Sequence, residues 1–351
     1  MKGKPMFWII AGTVAVIVAI AVYVAIGFFT GPMYKPGMPR PESAAARIEG
    51  DYFVMGDGGR LYFQGQGQGE AVLMLHGGPG YPFREPWPAL AGLPGHRFIY
   101  FDQRGCGKSS RPFAKLTGSN LYEKMQQIEG SLGIAAQLAD IDALRRGLGV
   151  AKITLIGHSF GAFLAALYAA DYPDHVAKLV LVAPAAVMIT PGSGDGLYGE
   201  IMARLKDDQD RKEFTAWLAQ IFDFPSLLDK SETELSELYA AMTPFYGRAM
   251  GASREDAAKL LSRDHSIGGF VTPAIFLGLG KTHDFRPGLA KITAPTLIVT
   301  GTDDMAGQAA VIRQQYADMI PGARLFVTKS KGHFIFDDNQ GEFTKLVAGF
   351  L

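Results

Sequence analysis

The stretch that decides the fold reads Lys152-Ile-Thr-Leu-Ile-Gly-His-Ser-Phe-Gly-Ala-Phe-Leu-Ala-Ala-Leu-Tyr-Ala-Ala170. Its β-branched start predicts a buried strand and its Ala/Leu-rich end predicts a helix, so Gly157-His-Ser-Phe-Gly161 between them must form a sharp turn. Small residues flank Ser159 because a strained turn brings neighbouring residues too close to carry a Cβ atom. We therefore predict that Ser159 is a nucleophile at a helix N-terminus, where developing negative charge is favoured.

Length and charge limit the classes of protein that this chain can belong to. Its 351 residues can hold one large α/β domain with an insertion, or two domains. The 34 basic and 34 acidic residues balance, and no basic run predicts a nucleic-acid partner. Cys106 is the only cysteine, which excludes an intrachain disulfide and a cysteine metal cluster. We predict no metal and no cofactor, and the sequence does not determine the oligomeric state.

The N-terminus contains an uncharged apolar run from Phe7 to Phe29. As a helix, this run would extend about 35 Å, enough to cross a hydrocarbon core of roughly 30 Å. The apolar region of a cleaved signal peptide is shorter, roughly 7–15 residues, so an uncleaved transmembrane anchor over residues 1–30 is favoured, although Ala19-Ile-Ala21 leaves cleavage open. The flanking basic residues do not orient the span. Only the short N-terminal tail favours a folded domain on the external or periplasmic side.

Residues 31–48 are predicted to form a linker between this anchor and the folded domain. The linker is rich in proline, with Pro32, Pro36, Pro39 and Pro41. Such a segment is semi-rigid and extended. We therefore expect the domain to begin at about residue 49.

The domain core is predicted in two parts, residues 49–187 and 289–351. A β-hairpin is expected over residues 51–64, and the other expected strands cover 71–75, 97–101, 153–156, 178–182, 295–300 and 323–328. An apolar face from Ile134 to Leu148 predicts a helix before the Ser159 turn. Strands that alternate with helices imply a mostly parallel sheet whose ligand-binding edge is the carboxyl one.

Between the two core parts, residues 188–288 have a different character. Charged residues mix with helical patterns over 197–205, 211–222, 232–242 and 254–261, and strand signals are few. We interpret this insertion as a helical cap over the carboxyl edge of the sheet.

Two loops of the second core part carry the side chains that a nucleophilic serine needs. A serine hydroxyl requires a neighbouring base, and the base requires a third group that fixes its tautomer. His333 follows the last strand in a Gly-His loop and is the predicted base. Of the two acids after strand 295–300, we choose Asp304, because the acid lies in the turn just beyond the strand while Asp303 can cap the turn. The chain order of serine, acid and histidine is that of α/β-hydrolases.

The loop His76-Gly-Gly-Pro-Gly80, called here the glycine loop, follows the strand at 71–75. Glycines at the carboxyl end of a strand allow backbone N–H groups to approach a ligand closely. We assign an oxyanion hole to the N–H groups of Gly78 and Phe160. The segment Asp102-Gln-Arg-Gly-Cys-Gly-Lys-Ser109 ends like a phosphate-binding loop, but its first glycine is missing at the required spacing, so nucleotide binding is excluded.

The glycine loop, the segment Asp102–Ser109 and the Ser159 turn together resemble the proline iminopeptidase branch of the α/β-hydrolases, over about Glu49 to Leu351. This resemblance implies an α/β-hydrolase fold with a helical cap and a triad of Ser159, Asp304 and His333. Members of the branch also use cap acids, in a Trp-Glu context, to hold the free amino terminus of a substrate. Here Trp217, the only tryptophan of the cap, is followed by Leu218, so the sequence departs from the branch at the residues that would make it an aminopeptidase.

The sequence thus predicts a membrane-anchored serine hydrolase that forms an acyl-enzyme on small ester or short-peptide substrates. We expect most cap glutamates to be solvated, and apolar cap residues to suit an acyl or aromatic group as well as a proline ring. The glutamates include Glu200, Glu232, Glu234, Glu237 and Glu255, and the apolar residues include Phe222, Phe224, Phe245, Tyr246, Phe270, Phe276 and Leu277. Release of N-terminal residues, as by a proline iminopeptidase, is the alternative activity. A non-catalytic binding protein with this fold is disfavoured because the triad residues are all present.

Overall fold

A computed structural model describes residues 31–37, 44–190, 196–261, 266–329 and 332–351. The strands of these residues are β1 (Arg47–Glu49), β2 (Tyr52–Val54), β3 (Arg60–Gly67), β4 (Glu70–Leu75), β5 (His96–Phe101), β6 (Ile153–His158), β7 (Val176–Val182), β8 (Ile189–Thr190), β9 (His283–Asp284), β10 (Thr296–Gly301) and β11 (Arg324–Thr328).

The α-helices of the same residues fall into a core set and a cap set. The core set is α1 (Leu121–Leu132), α2 (Ile134–Gly147), α3 (Phe160–Asp171), α11 (Ala309–Ile312), α12 (Ile335–Asp338) and α13 (Gln340–Ala348). The cap set is α4 (Gly196–Arg204), α5 (Asp208–Ile221), α6 (Phe224–Leu227), α7 (Glu232–Ala240), α8 (Met242–Ala249), α9 (Arg254–Leu261) and α10 (Val271–Leu279). Short 3-10 helices cover Pro88–Leu90, Pro173–His175 and Arg286–Lys291, and a π-helical turn covers Arg313–Ala317.

Within the described residues, the central sheet has the strand order β1-β2-β3-β5-β4-β6-β7-β10-β11. The strands from β5 to β11 in this order pair in parallel, while β1, β2 and β3 form an antiparallel edge. The predicted hairpin and the predicted apolar strands are therefore confirmed. β4 lies between β5 and β6, so the strands that follow β4 in the chain are placed first on one side of it and then on the other. Such a switch point opens a crevice at the carboxyl edge of the sheet.

The helix after the Ser159 turn, α3, is buried along almost its whole length, from Phe160 to Ala170. Its alanines allow close packing on the sheet, because a small side chain lets the helix backbone approach the strands. A Cβ atom on Gly161 would lie 2.2 Å from the carbonyl oxygen of Leu75 in β4. The composition of this helix thus places the start of α3 against the end of β4.

The cap forms between two short strands, since β8 and β9 pair at the points where the chain leaves and rejoins the core. The predicted helix at 232–242 corresponds to α7, whereas α8 and α10 were not predicted. For α10, the reason is visible in Val271-Thr-Pro-Ala-Ile-Phe-Leu-Gly-Leu279: this helix is largely buried and apolar all round, so it lacks the amphipathic period that identifies a helix on the surface.

The structure differs from the predicted linker at residues 31–37, which pack on the domain instead of leaving it. Tyr34 is only 2% exposed, and its hydroxyl donates a hydrogen bond to Asp171 at 2.9 Å. The Tyr34 N–H donates to the carbonyl oxygen of Gly278 at 3.1 Å. The sheet also begins at Arg47, before the predicted start of the domain at residue 49. Burial of the Tyr34 ring and the hydrogen bond of its hydroxyl hold this segment on the domain. The prediction of a linker used only the proline content and took no account of this tyrosine.

The predicted anchor, residues 1–30, lies outside the described residues. Among those that are described, none of the helices has both the length and the apolar character needed to cross a membrane.

Candidate active site

Ser159 lies between β6 and α3 in a strained backbone conformation, with φ 56° and ψ −121°. Its N–H donates to the carbonyl oxygen of Val182 at 3.0 Å, which holds the turn against β7. A Cβ atom on Gly157 would lie 2.3 Å from the carbonyl oxygen of Gly161. Both glycines of the pattern are therefore required for steric reasons, as the sequence predicts. A non-glycine residue in such a conformation costs about 1–3 kcal/mol, and strain of this kind is concentrated at functional sites.

His333 and Asp304 form a buried hydrogen-bonded pair. The Nδ1–H of His333 donates to the two carboxylate oxygens of Asp304 at 2.9 and 3.0 Å. Asp304 is 0% exposed, and one of its oxygens also accepts the N–H of Ala306 at 2.8 Å. Because the carboxylate binds Nδ1–H, the neutral imidazole carries its lone pair on Nε2 and can act as a base there.

The structure separates the two aspartates between which the sequence choice was made. Asp303 accepts a hydrogen bond from Nη2 of Arg204 at 2.8 Å and is exposed, whereas Asp304 contacts His333. The two neighbouring carboxylates therefore have different partners: one binds a cap arginine and the other binds the histidine.

His158 supports the loop that carries His333. Its Nε2–H donates to the backbone carbonyl oxygen of His333 at 2.9 Å, and the two imidazole rings lie 4.6 Å apart between centroids. Burial, together with the neighbouring His333, holds the pKa of His158 well below its ordinary value. His158 is therefore neutral and fixes the backbone of the loop, a role that sequence reasoning reduced to packing at the turn.

The glycine loop passes directly against Ser159. A Cβ atom on Gly77 would lie 2.9 Å from the Cβ of Ser159. Gly78 has φ +127°, and a side chain there would meet the backbone nitrogen of Gly80 at 2.5 Å. On the other side of Ser159, Phe160 begins α3, and the first N–H groups of a helix have no acceptor within it. The two predicted oxyanion donors thus belong to segments that both adjoin Ser159.

The glycine loop and the segment Asp102–Ser109 hold each other in place. The N–H of Gln103 donates to Nε2 of His76 at 3.0 Å, and the Gln103 side-chain amide donates to the carbonyl oxygen of His76 at 2.9 Å. Burial lowers the pKa of His76 to about 4, so the ring is neutral and can accept this bond. Sequence reasoning did not find the contact. The signal was available, because the two motifs follow the adjacent parallel strands β4 and β5.

Asp102 organises its own segment. Its carboxylate accepts the N–H of Lys108 at 2.8 Å, and burial raises the pKa of Asp102 to about 6. A Cβ atom on Gly107 would lie 2.1 Å from this carboxylate. The Lys108 ammonium lies 4.4 Å from the centre of the Tyr62 ring. The Gly-Lys-Ser of this segment therefore has a structural explanation that does not involve a phosphate.

Two of the cap glutamates are held by several partners. Glu200 accepts hydrogen bonds from Arg204 at 3.4 Å and from Gln308 at 2.8 Å. Glu232 lies 3.0 Å from Nε of Arg111 and also accepts two backbone N–H groups. These carboxylates are therefore neutralised from within the protein.

Three further cap glutamates lie at the surface. Glu234 forms a capping box with Ser231, Glu255 pairs with Lys259 at 3.0 Å, and Glu237 is exposed. The sixth glutamate of the cap, Glu213, pairs with Arg254 at 3.1 Å. Among the described cap residues, then, none of the glutamates is a buried carboxylate without a partner. Nor does that part of the chain contain a cluster of three histidine, cysteine or acidic side chains suited to a metal ion.

Comparisons with known proteins identify the family of this chain. Residues 70–340 match the family model described as alpha/beta hydrolase fold. A proline iminopeptidase from Lactobacillus crispatus (strain ST1) is 27% identical over 285 residues, which cover 80% of this chain and 89% of that protein. An esterase from Exiguobacterium antarcticum superposes with a TM-score of 0.57 at 25% identity, covering 86% of this chain and 99% of the other.

A proline iminopeptidase from Mycobacterium smegmatis superposes with a TM-score of 0.56 at 20% identity, covering 88% of this chain and 97% of its own. A likeness at this level of identity shows the fold alone. The match of the family model extends over most of the chain and includes the glycine loop, the Ser159 turn and His333. The chain therefore belongs to the α/β-hydrolase family and is a hydrolase that is similar to proline iminopeptidases and esterases.

Proposed function

We propose that Ser159, His333 and Asp304 form the catalytic triad of a serine hydrolase. The observation that carries this proposal is the strained Ser159 turn in a fold that also buries His333 on Asp304. A serine that only packed would not require a backbone conformation that costs about 1–3 kcal/mol. A buried carboxylate on Nδ1 of a histidine both selects the tautomer and stabilises the imidazolium that forms when the ring takes a proton.

In the proposed reaction, the Ser159 hydroxyl attacks the carbonyl carbon of the substrate while Nε2 of His333 takes the hydroxyl proton. The resulting oxyanion receives hydrogen bonds from the N–H groups of Gly78 and Phe160. His333 then gives the proton to the leaving alcohol or amine, and the acyl group remains on Ser159. A water molecule that loses its proton to His333 attacks this ester, and the acid leaves as the serine hydroxyl is restored.

The proposed substrates are small uncharged esters. An aminopeptidase must bind an ammonium group, and a buried charge without a partner is too costly, so at least one available carboxylate is needed at the site. Glu200 and Glu232 already bind protein cations or N–H groups, Glu213 pairs with Arg254, and Glu234, Glu237 and Glu255 are at the surface. The arrangement of these carboxylates therefore supports a neutral substrate over a substrate with a free amino terminus.

Release of N-terminal proline is the second candidate activity, and the relationship to the Lactobacillus crispatus protein over 80% of the chain favours it. A single preparation should be assayed with a prolyl arylamide, its N-blocked counterpart and a short-chain nitrophenyl ester. We expect the ester to be the best substrate. A strong preference for the free prolyl compound over both others would overturn the ester proposal and require a cap carboxylate that reaches the amine.

The catalytic assignment has its own test. We expect an organophosphonate to label the protein and the Ser159→Ala variant to lose both labelling and hydrolysis. Labelling that persists in the variant would show that another residue is the nucleophile. A folded, inactive wild-type protein that resists labelling would favour the non-catalytic alternative.

We also propose that residues 1–30 anchor the protein in a membrane as a single uncleaved span, with the catalytic domain on the external or periplasmic side. The length and apolar character of Phe7–Phe29 support the anchor. The full chain should stay with membranes after a carbonate wash, while a chain shortened to begin at Gly31, which keeps Tyr34 in place, should be soluble and active. A soluble full-length product that lacks its first 30 or so residues would indicate a cleaved signal peptide instead.

A further inference from the structure

The cap segment Ser266–Thr272, called here the return segment, leads into the first turn of α10 and contacts the glycine loop directly. The N–H of Gly268 donates to the carbonyl oxygen of Gly80 at 2.8 Å, and the Thr272 hydroxyl donates to the carbonyl oxygen of Pro79 at 3.2 Å. The carbonyls that accept these bonds lie within two residues of Gly78. The backbone of the proposed oxyanion hole is therefore supported from the cap side.

The return segment has little room to move. A Cβ atom on Gly268 would lie 2.5 Å from the carbonyl oxygen of Gly105, and one on Gly269 would lie 2.2 Å from the carbonyl oxygen of Glu232. A Cβ atom on Gly80 would meet the carbonyl oxygen of Gly268 at 3.0 Å. Backbones that pack with no room for a Cβ atom between them move together, so a shift of the return segment would be transmitted to the glycine loop.

The carboxylate of Glu232 holds the return segment at the N-terminus of α10. One oxygen accepts the N–H of Gly269 at 2.8 Å and the other accepts the N–H of Phe270 at 2.9 Å. A negative charge is favoured at a helix N-terminus, and hydrogen bonds to a carboxylate are roughly twice as strong as neutral ones. Burial raises the pKa of Glu232, while these N–H groups and the charge of Arg111 act in the opposite direction.

Arg111 joins the same carboxylate to the beginning of the return segment. Its Nε lies 3.0 Å from Glu232, and its Nη2 donates to the carbonyl oxygens of Ser266 at 3.2 Å and Ile267 at 3.4 Å. The guanidinium group thus contacts both the Glu232 carboxylate and the first two residues of the return segment. Because its donors form a rigid planar fork, lysine could not make these bonds together.

The helix that carries Glu232 has separate attachments to the core. The N–H of Glu232 donates to the carbonyl oxygen of Ala114 at 2.8 Å, and Lys115 pairs with Ser231 in an isolated bridge. A change confined to the Glu232 carboxylate therefore removes the hold on the return segment and leaves the backbone attachments of α7 in place.

We propose that Glu232 and Arg111 are positioning residues that, through the return segment, hold the Gly78 N–H where the oxyanion forms. The inference rests on the proposed serine hydrolase function and assigns a role in that reaction to a cap carboxylate. The energy of the pair acts on the transition state, because the Gly78 N–H gains its partner only when charge develops on the carbonyl oxygen.

The test compares Glu232→Gln with Glu234→Gln. Glu234 lies two positions further along the same helix, and its carboxylate accepts hydrogen bonds from Ser231. Activity is expressed per active site titrated with the organophosphonate, so that unfolded protein does not count. We expect Glu232→Gln to lower kcat about 10- to 100-fold, below the loss of about 10²–10³ for removal of a whole oxyanion donor, with KM nearly unchanged. Glu234→Gln should keep both parameters.

A second readout is the affinity for an aryl boronic acid, whose tetrahedral adduct with serine places an oxygen in the oxyanion hole. Its inhibition constant should rise in Glu232→Gln by the same factor as kcat falls. Ser236→Ala provides a milder variant, because the Ser236 hydroxyl donates to the carbonyl oxygen of Ile267 at 2.8 Å. Ser236→Ala should lower kcat and raise the inhibition constant by smaller factors than Glu232→Gln does. It also tests the inference if Glu232→Gln does not fold.

Several results would overturn the inference. A lower melting temperature with unchanged kcat per titrated site and unchanged boronic acid affinity would show that the pair only stabilises the fold. A raised KM with unchanged kcat would show that it acts on substrate binding. Failure of the proposed function would look different, because Ser159→Ala would then retain hydrolysis or the wild-type protein would show none.

Discussion

In the core half of the site, Ser159, Asp304 and His333 lie just beyond the carboxyl ends of β6, β10 and β11, while in the cap half the carboxylates of Glu200 in α4 and Glu232 in α7 bind partners from within the protein. The same residue types therefore behave differently in the two halves. Asp304 binds Nδ1 of His333 and leaves Nε2 on the other side of the ring, whereas Glu232 binds Arg111 and two backbone N–H groups. The comparison shows that a carboxylate near a site acquires its role from its partners.

The largest effect on activity should come from removal of the proposed nucleophile or the proposed base. We expect Ser159→Ala and His333→Ala each to lower kcat by about 10⁶-fold, because triad members act as a unit. The measurement is ester hydrolysis with purified protein at saturating substrate. Glu237→Gln, at an exposed position of the cap, is the control and should match the wild type. Comparable losses in the control would mean that the cap takes part in the chemistry itself.

The next effect compares the two adjacent aspartates. Asp304→Asn should lower kcat by about 10⁴-fold, because an amide can stabilise the wrong tautomer of His333. Asp303→Asn removes only an exposed pair with Arg204, which is worth about 0–1 kcal/mol. Its kcat should therefore stay close to that of the wild type. Reversal of this ranking in a side-by-side assay would show that the catalytic acid is misassigned.

A change of a buried ion pair inside the cap should lower the free energy of unfolding and leave kcat nearly unchanged. Nη1 of Arg248 lies 3.0 Å from Asp210, and both side chains are largely buried. Arg248→Gln should lower the free energy of unfolding by about 3 kcal/mol, the lower end for a broken buried pair, because Arg254 still contacts Asp210. Urea denaturation measures the loss, and kcat per titrated site should change little. Lys259→Gln, in an exposed pair, is the matched control and should have almost no effect.

The smallest effect concerns the N-terminal segment that packs on the domain. Tyr34→Phe removes the hydrogen bond to Asp171 and should lower the free energy of unfolding by about 1 kcal/mol. Thermal denaturation measures this change, with Tyr122→Phe as the control at an exposed position. Activity should be unchanged in both variants. A loss of kcat in Tyr34→Phe would show that the segment influences the site through α10.

Several features of this protein follow from local sequence. The strands β4, β6, β7 and β10 are rich in apolar residues, as is typical of strands buried on both faces. The Ser159 turn follows from Gly157 and Gly161, because a side chain at either position would overlap backbone atoms. The candidates His333 and Asp304 follow from their places after successive strands. In each case the physical cause acts within a few residues of the chain.

Only the tertiary structure decided the partners of residues far apart in sequence. It placed Gln103 on His76, His158 on the backbone of His333, and Arg111 on Glu232. It also packed Tyr34 against a domain that the sequence predicted to begin later. Hydrogen-bond partners and burial depend on which elements the fold brings together, and residues 27 to 175 positions apart leave no periodic signal of such a contact. The chain thus carries its chemical residues in local motifs, while their support depends on contacts that exist only once the sheet and cap have assembled.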